Sequence, residues 1–138
     1  MQARADDPLA EHAARRDRLV AALQADDASG APLGLERRSS NLFRERFEAP
    51  KRRLDLREFR HVLDVDVAGG SVDVEGSTCY EELVAATLPK GVMPAVVPQL
   101  KTITVGGAAA GVGIEATSFR HGLVHDTLLE FDVLLPDG

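Results

Sequence analysis

Apolar residues near the start of the chain recur at steps of three and four. Leu9, Ala13, Val20 and Leu23 share one stripe with Arg16, a spacing that predicts a single amphipathic helix. Asp7 followed by Pro8 supplies an N-cap and a first helical residue, and the helix is expected to end before Asp26 or Gly30. Residues 29–34 read as loop. Farther on the period changes to two. Leu63, Val65 and Val67 alternate with Asp64 and Asp66, Gly69-Gly70 interrupts, and Val72 and Val74 alternate with Asp73 and Glu75. That predicts a hairpin with one buried face. Thr78 with Glu81 has the spacing of a capping box. It predicts a helix with Leu83, Val84 and Leu88 inward and Gly91 just past its end. Ala95-Val96-Val97, between Pro94 and Pro98, reads as a short extended piece. Leu128, Leu129, Phe131, Val133, Leu134 and Leu135 predict a final apolar strand. Helices and short strands mix without strict alternation, so the expected class is α+β.

Composition narrows the picture. At 138 residues and 44% hydrophobic content, one domain with its own core is expected. The net charge of -6 argues against nucleic acid or an anionic membrane as main partner. The chain has no Trp and one Tyr, which argues against a base-stacking platform. Cys79 is the only cysteine, so no disulfide forms within the chain and no cysteine-based zinc site exists. No apolar run approaches the roughly 20 residues of a membrane span. The first residues carry charge with no apolar segment behind them and do not read as a secretory signal. A cytoplasmic location is the default expectation. Asp137-Gly138 after an apolar run is a hairpin signal whose second strand is missing. The expectation is an N-terminal piece of a longer protein. The alternative is a short chain whose last strand docks elsewhere.

Two segments carry candidate chemistry. One is basic, with Arg37, Arg38, Arg44, Arg46, Lys51, Arg52 and Arg53, and from composition alone it reads as a solvated charged loop. The other, TVGGAAAGVGIEATS at 104–118, holds Gly106, Gly107, Gly111 and Gly113 and neither Lys nor Arg. Residues 111–116 match G-x-G-x-x-A, with Asp132 farther on. The flanks lack the strand and the helix that a dinucleotide fingerprint requires. A P-loop is excluded, since no Gly-Lys-Ser/Thr follows. Two readings remain open. The stretch is a loop whose N–H groups lie against a phosphate-bearing cofactor, or its glycines permit close packing of two backbones. His121 and His125 flank Gly122 without a third metal ligand and are expected to be structural. Cys79, in a first helical turn, is expected to be inert packing rather than redox-active.

The ordered set Pro98, Thr104-Val105-Gly106-Gly107, Gly111, Gly113, Ser118, Arg120-His121-Gly122, Asp126 and Asp137-Gly138 resembles the FAD-binding, PCMH-type domain of the vanillyl-alcohol-oxidase family. RSSNLFR at 38–44 looks like that family's pyrophosphate loop in its sterol-Δ24-reductase-like branch. The resemblance covers roughly residues 38–138, with the N-terminal helix outside its diagnostic part. It implies residues 1–30 as helix and linker, and 31–138 as a partial FAD-binding domain: one α+β subdomain and the start of a second. It further implies FAD held in extended form. Ser39, Ser40 and Asn41 would cradle the pyrophosphate. Pro98, Thr104, Val105, Gly106, Gly107, Gly111, Gly113, Ile114 and Glu115 would line the cofactor, and Thr117 and Ser118 would add hydroxyl contacts. Many members link FAD through a histidine near the pyrophosphate loop. None lies between Arg37 and Ala49, so noncovalent FAD is expected. The implied activity is flavin-dependent hydride transfer with a small-molecule substrate, a hydroxy acid or a sterol-like alkene, in a protein completed by the remainder of the same polypeptide. No catalytic side chain is assigned within this chain. The rival expectation is a non-catalytic subunit that binds FAD and passes electrons to a partner.

Overall fold

The computed structural model describes residues 7–25, 30–37 and 51–138. Helix α1 spans Pro8–Gln24, and the Asp7 carboxylate accepts from Leu9 N at 3.1 Å. Strands β1 (Leu33–Glu36) and β2 (Arg52–Asp55) form a parallel pair. Strands β3 (Val62–Asp66) and β4 (Ser71–Val74) form the expected antiparallel hairpin. Its turn depends on Gly70, at a φ of 67° in the left-handed region that glycine enters without a Cβ penalty. Helix α2 (Tyr80–Thr87) follows, then a 3-10 turn ending at Gly91, whose φ of 78° stops the helix. Helices α3 (Val105–Ala110) and α4 (Ser118–His121) are short. The mixture is the expected α+β class.

The core lies between α2, α3 and the hairpin. Tyr80, Leu83, Val96, Val105, Ala108 and Val124 are buried together, with Val62, Val72 and Val74 packed against them. Helix α1 lies against β2 and β3. Its only buried side chain is a charged one, Arg15. Arg15 reaches Glu75 through Nε at 3.0 Å and Nη2 at 2.8 Å. The Glu75 carboxylate also meets His12 Nδ1 at 2.8 Å, His61 Nδ1 at 2.7 Å and His61 N at 2.9 Å. Burial pushes the Glu75 carboxyl up, but the bonds from His12, Arg15 and His61 prevail and hold it below the ordinary value. A second tie comes from β2, where Arg52 donates to the carbonyls of Ala22, Leu23 and Ala25 at the C-terminal end of α1.

Several expectations need correction. The first residues of β1 fall where a loop was expected, and β2 falls at the end of the basic segment. The N-cap of α2 is Cys79, and Glu82 rather than Glu81 accepts from its N–H at 3.0 Å. Thr78 is fully buried and donates its hydroxyl to His61 O at 3.2 Å. Glu81 faces Lys101 instead. Leu88 points outward, 56% exposed, because it sits in the 3-10 turn after the helix face has rotated away. Residues 95–97 form no strand, although Val96 is buried. Residues 128–135 form no strand either. They pair with no strand among the described residues, and Leu129, Phe131 and Val133 are exposed. Strand propensity without a ladder leaves backbone donors and acceptors to water.

Candidate functional site

The glycine stretch opens as a helix rather than a loop. Thr104 pairs with Cys79 in an antiparallel bridge, which brings the chain alongside the segment before α2. Val105 N then donates to Thr78 O and Gly106 N to Gly76 O, both at 2.9 Å. Thr104 Oγ1 caps α3 by accepting from Gly107 N at 3.1 Å. The amides at the start of α3 are therefore all satisfied by the chain itself. An anion nest at this turn, as the glycine pattern suggested, has no free N–H groups to use.

Each glycine answers to a different neighbour. A Cβ on Gly106 would lie 2.9 Å from Gly76 O, so the two backbones could not approach. A Cβ on Gly113 would lie 2.9 Å from a Val124 methyl in the core. Gly111, at the end of α3, faces Gly107 O at the same distance. Gly107 differs. Its missing Cβ would meet the Thr104 hydroxyl at 2.8 Å, and the next group out is the Arg37 guanidinium, 3.8 Å from that position. Close packing thus accounts for Gly106, against backbone, and for Gly113, against a core methyl, while Gly107 opens toward the end of β1.

Helix α3 ends in a Schellman arrangement. Gly113 N donates to Ala108 O at 2.9 Å and Val112 N to Ala109 O at 3.4 Å. The residue in the left-handed position is Val112, with a φ of 54°. A β-branched residue there is an outlier. Beyond it the chain is exposed, with Ile114 at 73%. Among the described residues, the N–H groups of Ile114, Ala116 and Thr117 meet no acceptor. These are the donors that the stretch offers a ligand.

The remaining expected site residues are held by local bonds. Thr117 Oγ1 donates to Ala95 O at 2.8 Å, and Ser118 Oγ accepts from Glu115 N at 2.9 Å. Glu115 in turn accepts from Gln99 N at 3.2 Å, which draws the segment after Pro98 toward the glycine stretch. Pro98 lines an apolar groove of about 360 Å³ with Tyr80, Val84 and Leu88. Burial pushes the Tyr80 phenol up, and the charge of Glu115 adds to it. The structure brings together Pro98, Thr104 to Gly113, Ile114, Glu115, Thr117 and Ser118. Ser39, Ser40 and Asn41 lie outside the described residues. His121 and His125 are exposed and pack in no core. Cys79 is half-buried at the N-cap. Arg37, expected in a solvated charged loop, lies beside Gly107 instead, a place set by the β1–β2 pairing with no local signal.

A profile of the FAD-binding domain family matches residues 12–138. The chain belongs to that family. Its cofactor is FAD. Similar proteins include a Δ(24)-sterol reductase of Pisum sativum, 38% identical over 85 residues, and one of Arabidopsis thaliana, 35% identical over the same length. Each alignment covers 62% of this chain and 15% of the relative. Cytokinin dehydrogenase 1 of Oryza sativa subsp. japonica is 30% identical over 76 residues, 55% of this chain and 14% of that protein. The chain thus matches only about a seventh of the length of these curated relatives. No solved structure matches the chain.

The residues fit the cofactor. FAD is long, flat in part and anionic at its diphosphate. The exposed side of α3 carries only Gly106, Gly107 and Ala110, with no long side chain to hold a ligand away. The unpaired amides after α3 supply hydrogen-bond donors next to that surface.

Proposed function

We propose that this chain is the FAD-binding part of a flavin-dependent oxidoreductase that transfers hydride between a substrate carbon and noncovalently held FAD. The observation that carries the reading is the small-residue surface of α3 followed by three unpaired amides, within a chain of the FAD-binding family. Bound FAD accepts or donates the hydride; the protein binds and orients it. Gly107 and Ala110 let the cofactor lie close to backbone. The amides of Ile114, Ala116 and Thr117 fix its position along the chain. The bonds from Thr117 to Ala95 O and from Glu115 N to Ser118 Oγ hold that loop in shape before binding, so less ordering entropy is lost. Ser39, Ser40 and Asn41 are the proposed cradle for the pyrophosphate. Noncovalent attachment follows from the lack of histidine between Arg37 and Ala49.

Likeness to the sterol reductases favours an alkene of sterol type as substrate in the whole protein. A hydroxy acid is the second candidate. Acid precipitation of the full-length protein is expected to leave flavin in the supernatant, and flavin in the pellet would contradict noncovalent binding. Anaerobically, a sterol-like alkene is expected to reoxidise the reduced flavin, or a hydroxy acid to bleach the oxidised form. If neither substrate class changes the spectrum and only a protein electron carrier does, the non-catalytic subunit is the correct reading.

A further inference from the structure

We propose that Arg37 supplies the positive charge that holds the FAD diphosphate beside the first turn of α3, an inference that rests on the FAD reading above. The diphosphate brings two negative charges to a chain that already carries -6. The glycine stretch has no lysine or arginine of its own. The amides that would otherwise meet an anion at this turn are taken: Val105 N by Thr78 O, Gly106 N by Gly76 O and Gly107 N by Thr104 Oγ1. The backbone N–H groups of this turn are therefore not free to bind the phosphates, and a cationic side chain beside it would supply the charge they lack.

Arg37 is in place to do so. It follows β1 directly, and β1 is fixed by its parallel pairing with β2 and by Leu56 N donating to Glu36 O at 2.8 Å. Its Nη1 lies 3.8 Å from the point where a Gly107 Cβ would sit. The side chain is exposed and makes no hydrogen bond or ion pair with the described residues. Arg15 is bound to Glu75 and Arg57 to Asp55, whereas Arg37, like the exposed Arg53 and Arg120, has no acidic partner among the described residues; of these three it is Arg37 whose guanidinium lies beside Gly107. A guanidinium left without a carboxylate beside a glycine-opened surface has the fork geometry that phosphate oxygens match. Gly107 has no side chain to stand between that fork and a ligand lying on α3.

The test uses the full-length protein, stripped of flavin and titrated with FAD at several salt concentrations. The wild type is expected to bind more weakly as salt rises. Arg37→Gln is expected to lose roughly tenfold to a hundredfold in affinity, the scale of one charge-assisted hydrogen-bonded contact, and to show a flatter salt dependence. Arg37→Lys is expected to keep most of the salt dependence. Flavin-free Arg37→Gln is expected to melt with the wild type, since the side chain has no partner in the fold. Unchanged FAD affinity and salt dependence in Arg37→Gln would overturn the proposal. So would a lowered melting point that accounts for the lost affinity. A wild-type protein that takes up no FAD would refute the functional reading itself, an outcome distinct from a bound wild type and an equally bound variant.

Discussion

At the scale of single residues, the glycine stretch divides into positions that serve packing and one that serves the open surface. Gly106 abuts backbone, which has no rotamer to move, whereas Gly107 abuts only the Thr104 hydroxyl and the Arg37 fork. Gly107→Val in the full-length protein is therefore expected to push the Thr104 hydroxyl off its capping position and cost about 0.5–2 kcal/mol of stability, as a lost N-cap does. The variant is expected to remain folded and lose FAD, and equilibrium dialysis together with circular dichroism would check both. A folded variant with stoichiometric flavin would contradict the role given to Gly107. Val112 is the opposite case, a branched side chain where glycine fits best. Left-handed backbone costs a non-glycine residue about 1–2 kcal/mol, and glycine's larger unfolded-state entropy offsets about 0.5–1 kcal/mol of that. Val112→Gly is expected to stabilise the flavin-free protein by about 0.5–1 kcal/mol in urea unfolding. A destabilised variant would mean that the exposed Val112 side chain makes contacts worth more than the strain.

At the scale of elements, Glu75 joins α1 to the hairpin through His12, Arg15 and His61. Removing one partner of a buried ion pair costs about 3–5 kcal/mol, so Glu75→Ala is expected to lose stability on that scale. The folded carboxyl is held below its ordinary value of 4.5. The contribution is then fully present above that value and lost as pH falls through the lower, folded one. Wild-type stability should decline in that acid range, and Glu75→Ala should decline less; identical acid limbs in urea unfolding would contradict the assignment. Helix α1 was legible from Asp7-Pro8 and its period, but its anchor was not. Nothing local announces that Arg15 and His12 will meet a glutamate 60 and 63 residues away in the chain. The start of α2 was legible to within one residue. Thr78/Glu81 and Cys79/Glu82 share the same spacing, and only burial of Thr78 against His61 O decides between them.

At the scale of the whole molecule, the α+β class followed from two periods, 3.6 and 2, and the hairpin from Gly69-Gly70. The parallel β1–β2 pair left no such trace, because Leu33–Glu36 and Arg52–Asp55 are short, mixed in polarity and joined only by long-range pairing. The apolar run at 128–135 was over-read for the complementary reason: a strand is a property of a pair. The cofactor stretch was legible as a place where backbone must come close to something. Which neighbour each glycine meets, and that the first amides are already bonded, required the fold. The central claim is that this fold holds FAD against α3 and the loop after it. It is tested most directly by the visible absorption spectrum of the full-length protein purified without added cofactor. The account predicts a yellow protein with flavin bands at about one FAD per chain, the one-to-one load of a tight site. A colourless protein that takes up no added FAD would contradict it and leave the glycines as packing alone.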